Sequence, residues 1–290
     1  MVRRVVRGET GPSGGPALTD VLGTCTSWGD GVCVVQPDGE GSREPVTIPL
    51  EDIVSGKPVP PRSSTRHRVT PQEAQRRALA LWPDLDTQPL GDWLLRRSAT
   101  ATARRANSVL AMGPSGLADD HDRVVAFYER WGQRPIAAVL PGSAEDELFR
   151  SHGWDLESHD HDTVFELAGV ASARRSLQGV SLPDVPVVIL GDDHLVTAEA
   201  RTADGRVVAS GVAAYDDDWV GFRTIEVEPA ERGRRLALVV MAELLSWGAE
   251  RGATTAYLQV LGDNARAFAL YDGLGFTVHH RYRYLAAPRR

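Results

Sequence analysis

Cysteine is nearly missing from this chain: Cys25 and Cys33 are the only two in 290 residues. Two thiols without a second pair cannot make a zinc site and imply no disulfide framework. They fit two small buried side chains in neighbouring strands, with pairing across a hairpin as the other option. A long apolar run is also missing, and none approaches the length of a membrane span. Residues 1–15 hold no apolar core of the kind that marks a secretory leader, so a cytoplasmic protein is expected. Excess positive charge is missing too. A net charge of -7 argues against a bulk electrostatic grip on nucleic acid, although a local arginine cluster can still hold a phosphate. What remains is an ordinary soluble composition, 42% hydrophobic and 24% charged, in a length that allows two or three domains.

Residues 1–62 read as a small all-β domain. Four short strands are expected, at Val2–Arg7, Leu18–Trp28, Val32–Gln36 and Pro45–Leu50, with turns at Gly29-Asp30-Gly31 and Pro37-Asp38-Gly39. One helical turn at Glu51–Val54 completes a pattern that resembles SH3-like barrels. Residues 63–69 read as a linker. Thr70, Pro71 and Glu73 then form a helix start signal, and Pro83 a stop. From 70 to 170 strands are expected at Gly91–Arg97, Ala103–Met112, Pro135–Leu140 and Thr163–Leu167, with helices at Asp122–Trp131 and Ala144–Ser151. The order helix, strand, helix, strand in 122–167 returns in 236–284, which points to an internal repeat. Residues 169–180 read as a connection. His152, His159 and His161 lie among Asp155, Asp160 and Asp162, and this run reads as a loop in preference to a metal site. His279 and His280, adjacent on the last strand, should point to opposite faces.

The chemistry concentrates in 183–290. A strand ending at Val227 leads through Arg232-Gly233-Arg234-Arg235 into a helix with an apolar stripe of Leu236, Val239, Val240, Leu244 and Trp247. Free N–H groups at a helix start, with arginines beside them, favour an anion. A short strand Thr255–Val260 follows. Asp263 or Asn264 caps the next helix, whose inner face carries Ala267, Leu270, Tyr271 and Leu274, and Gly275 ends it.

In these features 183–290 resembles the GNAT family of N-acetyltransferases. The resemblance rests on Val227-Glu228-Pro229 before Arg232–Ala237, on Leu258-Gln259-Val260, on Asn264 with Ala267, and on Leu270-Tyr271 before Leu274-Gly275-Phe276. It implies an α/β fold: a GNAT-like mixed sheet flanked by helices, with 70–170 as a degenerate second lobe. It further implies acetyl-CoA as co-substrate, no metal, and a primary amine acceptor on a small molecule or a protein. Arg232, Gly233, Arg234, Arg235, Leu236 and Ala237 would hold the pyrophosphate. Ile225 and Val227 would pair with the pantetheine arm, and Asn264 would touch it. Tyr271 would protonate the departing thiolate, although periodicity alone reads it as packing. Glu226 or Glu228 would act as base, and strand alternation puts both on one face. Arg235 stands where the family has glycine, and its side chain should therefore point outward. A non-catalytic acyl-CoA sensor, with the barrel binding a protein partner, is the alternative.

Overall fold

The computed structural model describes residues 1–11, 14–37, 44–57, 65–157 and 162–289. The expected turn at Asp38-Gly39 and His159, Asp160 and His161 lie outside them, as do residues 63 and 64 of the expected linker. The chain divides into two units, Met1–Ser63 and Ser64–Arg290.

The first unit has strands β1 (Val2–Thr10), β2 (Pro16–Val21), β3 (Gly23–Gly29), β4 (Val32–Pro37), β5 (Val46–Pro49) and β6 (Ile53–Gly56), with a 3₁₀ turn at Leu50–Asp52. They form two antiparallel sheets, β2-β1-β6 and β3-β4-β5, over a core of Val2, Cys33, Val35 and Ile48. The single strand expected at Leu18–Trp28 is split in two before Gly23. A Cβ there would sit 2.0 Å from the Gln36 carbonyl, so only glycine allows the crossing. Of the two thiols, Cys33 is buried and Cys25 exposed, and their sulfurs face each other at 3.7 Å.

The second unit opens with α1 (Pro71–Arg77), which runs on as a 3₁₀ turn to Leu81. Thr70 caps it by accepting the Glu73 N–H at 3.2 Å, as the start signal predicts. There follow β7 (Leu85–Leu90), β8 (Trp93–Ser98), β9 (Val109–Ala111), α2 (Asp120–Glu129), β10 (Ile136–Val139), α3 (Ala144–Ser151), β11 (Asp155–Leu156), β12 (Thr163–Gly169) and α4 (Val170–Leu177). The chain continues through β13 (Val187–Gly191), β14 (Leu195–Arg201), β15 (Val207–Asp216), β16 (Trp219–Val227), α5 (Leu236–Glu250), β17 (Thr255–Leu261), α6 (Ala265–Gly273) and β18 (Thr277–Ala286). No helix among the described residues is long and apolar enough to cross a membrane.

All these strands join one mixed sheet, ordered β13-β14-β15-β16-β17-β12-β18-β10-β9-β8-β7, with β11 beside β18. Its order is not that of the chain. Strand β12, from the 70–170 part, lies between β17 and β18, and β18 in turn lies between β12 and β10. The β12–β17 ladder runs without a shift from Thr163↔Leu261 to Gly169↔Thr255. Each half therefore completes its sheet with the other's strand. The parallel pairs β9/β10 and β16/β17 each enclose a crossover helix, α2 and α5.

Several local expectations are corrected. Strand β7 is not among the expected strands; its Pro89 and polar residues hide it, and it is tolerated as the sheet's outer strand. The long strand expected at Ala103–Met112 shrinks to β9. A 3₁₀ turn at Arg104–Ala106 precedes it, held by the Asn107 amide, which donates to the carbonyls of Ala101 and Ala103. The connection at 169–180 is mostly the helix α4. His279 and His280 do not face opposite sides. A bulge in the β12–β18 ladder, where Phe165 pairs His280 but Glu166 pairs Val278, turns both rings toward the segment before and within α1. There the Gln75 amide meets His280 Nε2 at 3.1 Å, the two Nδ1 atoms lie 2.7 Å apart, and His279 Nε2 meets the Val69 carbonyl at 2.9 Å. With both rings neutral every contact has a donor and an acceptor: Gln75 donates to His280, His280 to His279, and His279 to Val69. From the same run, His152 stacks on His121 at 3.6 Å and Asp162 pairs with Arg283.

Two outcomes follow from this architecture. A fragment of residues 178–290 lacks β12, so β17 and β18 lose their shared partner. It should show no cooperative thermal transition by circular dichroism, whereas 65–290 should. Burial pushes His280 down to about 3, with the neighbouring His279 adding to the shift. The unfolded ring titrates near 6.5, so between these values the unfolded chain binds the extra proton. Stability is therefore complete above about pH 6.5 and falls as pH drops towards 3, by up to about 1.4 kcal/mol per pH unit. Urea midpoints of the wild type and of His280→Gln, measured across that range, should converge as pH falls.

Candidate active site

Strands β15 and β16 form a hairpin, and β16 also pairs in parallel with β17, but only from Trp219↔Thr255 to Phe222↔Leu258. Beyond Phe222 the two parallel strands part. The cause lies in the β15–β16 ladder, where Val212 pairs Arg223 but Ser210 pairs Glu226, leaving Thr224 and Ile225 opposite Gly211 alone. Thr224 takes a φ of 54° in this bulge. Gly211 is required beneath it, since a Cβ would lie 2.4 Å from Ile225 Cδ1 and 2.8 Å from Val240 Cγ1. With the Glu228 N–H turned to the Val208 carbonyl at 3.0 Å, strand alternation turns the Val227 peptide groups to the open side. The Arg232 guanidinium reaches the Val227 carbonyl there at 3.4 Å.

The loop after β16 ends in two left-handed residues, Gly233 with φ 84° and Arg235 with φ 61° and ψ 18°. Arg235 is the N-cap of α5 and occupies a conformation natural to glycine. Its side chain points outward, donating to the Ser181 carbonyl at 2.9 Å. The N–H groups of Leu236 and Ala237 have no acceptor among the described residues. The predicted apolar stripe is buried as a whole, which anchors these donors. Across the gap, Asn264 caps α6 by accepting the Ala267 N–H at 3.1 Å, and Gly275 ends that helix at φ 81°. Tyr271, on the inner face of α6, is 9% exposed and meets Phe276 edge to face. Burial pushes its phenol up to about 12, with Glu166 adding to the shift.

These elements enclose one cavity of about 1180 Å³. Its walls include Ile225, Glu226, Val227, Glu228, Arg232, Gly233, Arg235, Leu236, Ala237, Asn264 and Tyr271. Of the residues expected to bind the co-substrate or act in the reaction, only Arg234 is off the wall; its guanidinium is engaged by Glu231. The two candidate bases differ. Glu228 is paired with Arg206 at 2.9 Å, and Arg206 also holds Glu231. The Glu226 carboxylate has no ion pair or hydrogen bond among the described residues. Sequence reading missed three contributors: α4 with Ser176 and Leu177, Val180 just after it, and the β15 segment Val207–Ser210. It also missed Glu166 on β12, which is 1% exposed, with its Oε2 unpartnered among the described residues. Burial raises this carboxyl to about 7; Asp272 adds to the shift and Arg281 opposes it. A lone charge inside an apolar strand pattern was the available signal.

The site generates a test of its own loop. Arg235→Gly removes a left-handed non-glycine conformation that costs about 1–2 kcal/mol and loses only an exposed hydrogen bond. Its melting temperature should equal or exceed that of the wild type, while Arg235→Val should lose at least about 1 kcal/mol. The reverse order would show that the Ser181 contact, not the backbone, fixes the loop.

Residues 73–285 match the family model described as "Probable histone acetyltransferase Rv0428c C-terminal". The probable histone acetyltransferase Rv0428c of Mycobacterium tuberculosis is 26% identical, over 94% of this chain and 90% of its own length. The uncharacterized N-acetyltransferase YobR of Bacillus subtilis is 24% identical, over 73% of this chain and 97% of its own length. Among solved structures, a GCN5-related N-acetyltransferase from Kribbella flavida shares the fold. Its TM-score is 0.59 at 14% identity, covering 76% of this chain and 96% of that one.

Proposed function

The chain belongs to this acetyltransferase family of GNAT fold, and from that premise we propose that it moves an acetyl group from acetyl-CoA to a primary amine by direct attack. One observation carries the reading: the β16 residues beyond the point where β16 leaves β17, and the free N–H groups that start α5, line a single cavity. The N–H groups of Leu236 and Ala237, with Arg232 nearby, suit the pyrophosphate. The open edge of Ile225–Val227 suits the amide-rich pantetheine arm, and the Val227 N–H suits the acetyl oxygen as negative charge builds on it. Asn264 has its side-chain N–H groups left for the same arm, because its oxygen is used by the cap. Arg234 serves through its backbone.

In the chemical step the neutral amine attacks the thioester carbon. The C–N bond forms and the C–S bond breaks, leaving its electron pair on sulfur. Tyr271 gives its proton to that sulfur. Glu226, unpaired and on the wall, takes the amine proton directly or through water, a role for which Glu228 is less free. A substrate amine is mostly protonated at neutral pH, so removal of its proton makes the rate rise with pH. We also read the first unit as an SH3-like barrel that carries a protein-partner contact. Residues 70–170 are read as a degenerate GNAT lobe, on the strength of the β9–α2–β10 unit.

Thiol release from acetyl-CoA against a panel of small and peptide amines tests the reading. Tyr271→Phe should lower kcat by about 10²-fold with the donor KM little changed. Glu226→Gln should cost more than Glu228→Gln. Failure to bind acetyl-CoA in a thermal-shift titration would sink the proposal.

A further inference from the structure

Glu166 is the buried group that the proposed chemistry does not use. It lies on β12, opposite Leu258 of β17 on one side and Val278 of β18 on the other. Its β12 neighbours Phe165 and Leu167 point to the α1 side, where they pack with Ala74, Ala78 and Leu81. Glu166 therefore points to the other side, as does Ala168, which belongs to the cluster holding Tyr271, Leu274 and Phe276. The carboxyl is thus buried in the layer beneath α6. The ionisable groups that face it are Tyr271 and Asp272 from α6 and Arg281 from β18; β17 offers only Leu258 at that position. A buried carboxyl with an oxygen unpartnered among the described residues contributes nothing to packing that a leucine would not.

We propose that Glu166 is a positioning residue for the leaving-group step: contributed by the 70–170 part, it acts through space on the Tyr271 phenol and sets how readily that phenol releases its proton. The inference rests on Tyr271 being the acid of the proposed reaction. Two negative charges in one buried site oppose each other. With Glu166 neutral, a phenolate beside it is tolerated and Tyr271 gives up its proton to the sulfur more easily. With Glu166 ionised, the same transfer places a phenolate next to a carboxylate and is slower. The protonation state of one half of the sheet thereby tunes the acid that the other half presents to the cleft.

The test compares kcat of Glu166→Gln with that of the wild type between pH 5.5 and 9, using acetyl-CoA and any amine of the panel that supports turnover. Taking the ratio cancels the titration of the amine itself. Glutamine mimics the neutral carboxyl, so the ratio should be near one at low pH and rise by at least about threefold above the midpoint near 7. Glu166→Leu, neutral and apolar in the same place, gives the same comparison if the glutamine variant folds poorly. In a Tyr271→Phe background the ratio should be flat. A flat ratio in the wild-type background, with Tyr271→Phe slow, overturns the inference alone. A Tyr271→Phe enzyme with wild-type kcat overturns the acid assignment and the inference with it.

Discussion

The ladder between β12 and β17 is the interaction on which the cleft depends. Strand β17 is paired along its whole length on the β12 side, from Thr255 to Leu261, but only over its first four residues on the β16 side. A strand held that firmly on one edge does not follow its other neighbour when that neighbour bends. The bulge opposite Gly211 therefore opens a wedge between β16 and β17 instead of twisting the sheet as a whole. Beyond Phe222 the β16 backbone has no partner on the β17 side, and its residues there share a cavity wall with the start of α5. One non-local pairing thus keeps open a gap that the local residues only initiate.

Much of this site could be read from the sequence because its determinants are local. The arginine loop, the stripe of α5, the Asn264 cap and the terminating Gly275 each follow from a few neighbouring residues, and each stands where that chemistry puts it. The cleft's other determinants are not local. Nothing in Thr163–Gly169 announces that it will pair with β17, nearly a hundred residues onward by its register with Leu261. Strand β7 carries Pro89 and polar side chains because it is an edge, and an edge looks like a loop. Helix α4 has only eight residues and a mixed pattern, too short for periodicity to reveal it. The His279–His280 bulge is a register effect, and register depends on the partner strand.

Charge around the cleft is arranged so that few groups remain uncommitted. Glu231 collects both Arg206 and Arg234, and Arg206 also takes Glu228, so Glu228 is the one member of this web on the cavity wall. Arg235 is drawn away by Ser181. What is left facing the cavity is Glu226 near the bulge, the guanidinium groups of Arg232 and Arg266, and the donors of the α5 start. On the proposed function, these ion pairs neutralise the carboxylates beside the arginine loop and leave Glu226 for the amine.

The place of β18 has a consequence for the order in which the molecule can be made. It is the last of the sheet's strands to leave a ribosome, yet its seat is an interior one, between β10 and β12. Until Thr277–Ala286 emerges, both of those strands present an unpaired edge, and the residues before α4 cannot settle as a finished body. Synthesis therefore passes through a long stage with a central seam open. Closing it last makes the final strand the fastener of both halves at once, and exposes the nascent chain to mispairing at the point where its two halves meet.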